Sequence, residues 1–94
     1  MIIKIQYSKQ ATKFLNKNKS VLSENKVKQL IISALKKLLE KEVVNIDLKK
    51  LKGNYSNYYR IRVGNIRIIF EFVNNEIVIV FVVSVGYRGD IYKT

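Results

Sequence analysis

Three arginines, Arg60, Arg62 and Arg67, fall within eight positions of one another in YYRIRVGNIRIIF, Tyr58 to Phe70. A guanidinium is a planar fork of donors that matches two oxygens of a phosphate or carboxylate at once, a geometry lysine cannot reproduce. The chain holds fourteen lysines spread along its length but only four arginines, and with Arg88 all four lie within its last 35 residues. There is no His and no Cys. The commonest acid–base side chain is therefore missing, and so are the imidazole and thiolate ligands of most metal sites. Chemistry must be carried by Arg, Lys, Tyr, Asp or Glu, and neither a metal nor a cofactor is expected. Eighteen Lys and Arg against seven Asp and Glu give a formal charge of +11, a balance that favours a polyanionic partner such as nucleic acid, a ribosome or an anionic membrane face.

The elements that position these residues read as one α+β domain over residues 1–94, a length that suits a single core. IIKIQY, Ile2 to Tyr7, alternates as a first strand. Ser8 is a helix cap for a short helix with Ala11, Phe14 and Leu15 on one face, and Asn16 to Ser20 is a polar turn. From about Ser23 to Lys41, Val27, Leu30, Ile31, Ala34, Leu35, Leu38 and Leu39 recur at three-and-four spacing, which predicts a long amphipathic helix with Lys26, Lys28, Lys36 and Lys37 turned outward. Glu42 to Ser56 reads as a charged connector containing LKKLKG. Three strands in a meander follow, with Gly64-Asn65 as a two-residue hairpin loop and Asn74-Asn75 as a second candidate turn. The expected architecture is a strand, a two-helix hairpin and a three-stranded antiparallel meander, with the helices on one face of the sheet.

With Gly64-Asn65 as the loop, Val63 pairs with Ile66, Ile61 with Ile68, Tyr59 with Phe70, and Arg62 with Arg67. Tyr59, Ile61, Val63, Ile66, Ile68, Phe70 and Phe72 then face the helices, and a two-residue turn at Asn74-Asn75 adds Ile77, Ile79, Phe81 and Val83 to that face. Arg60, Arg62 and Arg67 fall on the other, with Tyr58, Ile69, Glu71, Val78, Val80 and Val82. On this register the three valines are covered either by the segment from Gly86 to Thr94 or by a partner chain. Like charges directly opposite in an antiparallel pair cost up to about 1 kcal/mol, and Glu71 alone does not neutralise three guanidiniums. The arrangement reads as a site for an anion, and Arg67→Ala is expected to leave folding intact by relieving the repulsion. Asp47 stands where a carboxylate base could sit, or is a solvated charge in a lysine-rich loop.

From LKG through YYRIRVGNIRIIF to VSVGYRGDIY, residues 48 to 92, the chain resembles the RelE/ParE superfamily of toxins of type II toxin–antitoxin systems, and within it the RelE-type mRNA interferases. The resemblance implies a metal-independent endoribonuclease that cuts mRNA in the ribosomal A site by attack of a ribose 2′-hydroxyl on the adjacent phosphate. Its catalytic positions match Arg60, Arg62, Arg67, Arg88 and Tyr92. Lys49, Lys50 and Lys52 look like contacts to phosphates or ribosomal RNA that position without specifying, and Tyr87 is placed with them as an RNA- or ribosome-binding residue. Tyr87 stands where many relatives carry His, which leaves Arg88 as the donor to the leaving oxygen. Tyr92 either stacks on a flipped base or closes the sheet edge.

The same resemblance implies a cognate antitoxin, encoded adjacently, alongside mRNA and ribosome as partners. It leaves two other readings: a ParE-type poison of DNA gyrase, and a catalytically silent nucleic-acid-binding relative. The start, MIIKIQYSKQ, is broken by Lys4 and Gln6, and the longest apolar run, IVIVFVVSV, is too short to cross a bilayer as a helix. A cytoplasmic protein without membrane association is expected.

Overall fold

A computed structural model describes residues 2–55 and 57–89, without the side chain of Tyr55. The order is β1 (Ile2–Tyr7), α1 (Lys9–Lys17), α2 (Glu24–Leu39), β2 (Asp47–Lys50), a 3-10 turn at Gly53–Tyr55, β3 (Tyr59–Val63), β4 (Ile66–Asn74) and β5 (Ile77–Tyr87). The first helix starts at the cap the sequence places at Ser8, and Ser23 caps the second. The Ser8 hydroxyl accepts from the Ala11 amide and the Ser23 hydroxyl from the Lys26 amide, each at 3.0 Å, satisfying an N–H that the first helical turn leaves without a partner.

Five strands form one sheet in the order β1-β5-β4-β3-β2, with β1 parallel to β5 and the other neighbours antiparallel. The sequence reading missed β2, which it took as connector. Ile46, Asp47, Leu48 and Lys49 do alternate, and Leu48 pairs with Ile61 of β3. The β3–β4 hairpin has the expected register, Val63 with Ile66 and Arg62 with Arg67. The positive φ this loop requires falls on Gly64, at 57°, the first loop position of a type II′ turn.

The register of β5 differs from the expected one. Asn74 pairs with Val78, so Asn75, Glu76 and Ile77 intervene instead of a two-residue Asn74-Asn75 loop. The odd shift exchanges the faces of the strand. Val78, Val80 and Val82 are buried against the helices, while Ile77 and Ile79 are exposed on the side of the arginines. No uncovered valine row therefore exists there for a C-terminal segment or partner to cover.

Beyond Val82 the ladder slips, with Phe70 opposite Val82 and Ile69 opposite Ser84, and the bulge brings Val85 and Tyr87 onto the helix face. The N-terminus of α1 fastens this bulge. Ser8 Oγ donates to the Val83 carbonyl at 2.7 Å, while the Gln10 amide donates to the Val85 carbonyl at 2.6 Å and accepts from the Val85 N–H at 2.9 Å.

Ala11, Leu15, Val27, Ile31, Ala34 and Leu35 from the helices meet Ile61, Ile68, Phe70, Val80, Val82 and Val85 in one core. Among the described residues no helix is long and apolar enough to cross a membrane. The observed register makes Val80→Ala lower the unfolding free energy by roughly 2 kcal/mol, and Ile79→Ala by less than about 1 kcal/mol. Denaturant midpoints of the two variants measure this, and the reverse ranking would mean that β5 is paired in the other register.

Candidate functional site

The face of the sheet away from the helices carries Asp47 and Lys49 from β2, Arg60 and Arg62 from β3, and Arg67, Ile69 and Glu71 from β4. Strand alternation alone puts Arg60 and Arg62 two residues apart on this face, and the hairpin lays Arg67 beside Arg62. Edge strand β2 then adds a carboxylate across from Arg62. Asp47 Oδ1 accepts from Arg60 Nη2 at 2.9 Å, and Asp47 Oδ2 lies 2.7 Å from Arg62 Nε. One carboxylate therefore bridges two guanidiniums.

The three arginines differ in exposure. The Arg62 side chain is 51% exposed and that of Arg60 only 17%, while Arg67 is 9% exposed and its Nη1 donates to the Gly64 carbonyl at 3.4 Å. Arg60 Nε is buried without a hydrogen-bond partner. A buried N–H left unsatisfied costs about 1–3 kcal/mol. Among the described residues, three guanidiniums and the exposed Lys49 beside the carboxylates of Asp47 and Glu71 leave the face positive. It can hold a phosphodiester and stabilise charge that develops on its oxygens.

The other expected site residues are placed as follows. Lys49 pairs with Arg60 on the arginine face, Lys50 pairs with Tyr59 and so faces the helix side, and Lys52 is exposed beyond β2. Arg88 follows β5 and is exposed, its amide donating to the Asn65 carbonyl at 2.8 Å, which ties the end of that strand to the hairpin loop. Tyr87 pairs with Ile66 on the opposite face from the arginines. Its ring packs edge-on against Phe14 at 5.3 Å and its hydroxyl donates to Asn18 Oδ1 at 3.2 Å, so it braces α1. Tyr92 lies outside the described residues. What sequence reasoning missed is the role of Asp47, and the alternation around it was the available signal.

Two hollows of the surface lie on the helix side of the sheet. A cavity of about 370 Å³ is lined by Ile3, Ile5, Tyr7, Glu24, Asn25 and Lys28, and another of about 460 Å³ runs along α1 beside Tyr7. Burial, and secondarily the charge of Glu24, holds the Tyr7 phenol above its usual titration range. Among the described residues no cluster of three or more carboxylates could hold a metal.

The model of the family described as ParE toxin of type II toxin-antitoxin system, parDE, matches residues 5–92. The chain belongs to the RelE/ParE superfamily of toxins. A relative of this toxin, Toxin RelE3 of Methanocaldococcus jannaschii, is 58% identical over 36 residues, a stretch that spans 38% of this chain and 39% of the relative. In the Escherichia coli DinJ-YafQ toxin-antitoxin complex a chain of 16% identity superposes with a TM-score of 0.68, covering 99% of this toxin and 100% of its counterpart. A YoeB/ParE toxin from Agrobacterium tumefaciens has a TM-score of 0.63 at 12% identity, over 90% and 98% of the two chains. These two likenesses concern the fold.

Two expectations attach to the site. Arg62→Ala, at an exposed position, changes stability by no more than about 0.5 kcal/mol, whereas Arg67→Ala removes a nearly buried side chain and costs roughly 1–3 kcal/mol. Thermal melting checks this, and a stabilised Arg67→Ala variant would show that repulsion outweighs packing. In an alkaline absorbance titration, Glu24→Gln lowers the Tyr7 midpoint only part of the way, because burial is the larger cause. A return to the ordinary value near about 10 would assign the shift to Glu24 alone.

Proposed function

We propose that this toxin is an endoribonuclease that cuts mRNA in the ribosomal A site, in the cytoplasm, and that a cognate antitoxin neutralises it. The observation that carries the reading is the convergence of Arg60, Arg62 and Arg67 on one face of the sheet, with the Arg62 side chain half exposed. A ribose 2′-hydroxyl attacks the adjacent phosphorus, the P–O5′ bond breaks, and a 2′,3′-cyclic phosphate and a 5′-hydroxyl result. The arginines bind the phosphate and stabilise the added charge of the transition state, the kind of donor whose loss typically costs ~100- to 1000-fold in rate. Arginine is a poor general base, its neutral form being too rare near neutral pH. The proton from the 2′-hydroxyl therefore passes to solvent or to a ribosomal group.

Arg88 supports the leaving 5′-oxygen, and Tyr92 stacks on a nucleotide base. Lys49 and Lys52 contact phosphates that position the toxin without reading sequence. The reading needs no metal ion, since guanidinium charge stands opposite the phosphate. The partner follows from membership in a class of toxins paired with antitoxins, and the relative seen in the DinJ-YafQ toxin-antitoxin complex supports it.

A second reading is a DNA gyrase poison, favoured by the description of the matching family model as a ParE toxin. Induction of the wild type and Arg62→Ala in a tolerant host, with mapping of mRNA 5′ ends, separates the two. New 5′-hydroxyl ends inside reading frames, at least tenfold fewer in the variant, are expected. Growth arrest with gyrase-linked DNA breaks and no new mRNA ends would replace the nuclease by the gyrase poison.

A further inference from the structure

Asp47 faces the arginines from a four-residue edge strand that has only two residues, Asp47 and Lys49, on that side of the sheet. Its position opposite Arg62 would suffice to neutralise that one residue. Instead its second oxygen reaches diagonally to Arg60, so both oxygens are engaged, at 2.9 Å and 2.7 Å. Glu71, the other acid on this face, pairs with Phe81 two positions further from the hairpin loop than Ile69, and no ion pair to it is found among the described residues. The link is half exposed, the kind of contact that adds little to stability. Its effect is geometric. Arginine has a long, flexible stem, and two such side chains that must be ordered on the way to the transition state slow the chemical step unless they are ordered beforehand.

From this geometry we infer that Asp47 is the positioning residue of the arginine site. Its carboxylate sets the guanidiniums of Arg60 and Arg62 side by side, spaced to meet two oxygens of one phosphate, and it takes no part in making or breaking bonds. Arg62 commits Nε to Asp47 while half of its side chain stays exposed, so the anchoring leaves guanidinium surface for the substrate. A carboxylate already occupied at both oxygens has little to offer as a base. The inference rests on the nuclease reading for its consequence and on the two ion pairs for its substance.

The test compares wild type, Asp47→Asn and Asp47→Glu in single-turnover cleavage of mRNA on programmed ribosomes, with melting curves alongside. Asp47→Asn is expected to melt within a few degrees of wild type. It should cleave at least tenfold more slowly at saturating toxin, while half-saturation moves by less than threefold, and Asp47→Glu should recover part of the rate. A maximal rate in Asp47→Asn equal to or above that of wild type would overturn the inference, the latter marking Asp47 as a competitor of the phosphate. If wild type cuts no mRNA, the nuclease reading fails by itself. The positioning role is then decided by the arginine Nε–H signals in NMR spectra. Slowly exchanging signals of Arg60 and Arg62 that vanish in Asp47→Asn support it, and signals that persist in the variant overturn it.

Discussion

A two-residue loop at Gly64-Asn65 leaves the β3–β4 hairpin a single register, and that register sets Arg62 directly against Arg67. Opposed like charges cost up to about 1 kcal/mol. Asp47 offsets the cost on one side by engaging Arg62 and Arg60 together, and the burial of Arg67 beside the loop fixes the third guanidinium. The electrostatic character of this face follows from the contest between a backbone register that brings the arginines together and one carboxylate that keeps them there.

The rest of the fold serves that sheet. The amphipathic stripe of α2 and the shorter face of α1 cover the opposite side. Ser8 and Gln10 hold the bulge of β5, beyond which the chain turns toward the hairpin loop and Arg88 bonds to Asn65. In this way the α1 terminus, remote from the arginines, sets where the last described residues run. The hollows beside Tyr7 lie on the helix side and have no part in the arginine face.

Much of this was legible in the sequence where one local rule acts alone. Ser8 announces the first helix, the three-and-four spacing from Val27 to Leu39 gives the second and its buried stripe, and Gly64-Asn65 fixes the arginine pair. The failures came where patterns conflict. IVIVFVV is apolar at every position and so carries no alternation to say which face is inward, and two adjacent asparagines offered a turn one frame away from the real one. β2 was hidden by its charge, because Asp47, Lys49 and Lys50 read as loop until a neighbouring strand is there to pair with them. Asp47 could not be assigned a partner without β2, so the sequence exposed the arginines but not what orders them. Tyr87, expected among the binding residues, turns to the helix side because the bulge shifts the alternation before it.

The central claim is that the arginine face is where this toxin meets the nucleic-acid backbone. Titration of the isotope-labelled protein with a short single-stranded RNA, followed through backbone amide and arginine Nε–H shifts, tests it most directly. Saturable shifts centred on Asp47, Arg60, Arg62 and Arg67 are expected. Shifts confined to α1 and the Tyr7 hollows, with the arginine face unmoved, would contradict the account.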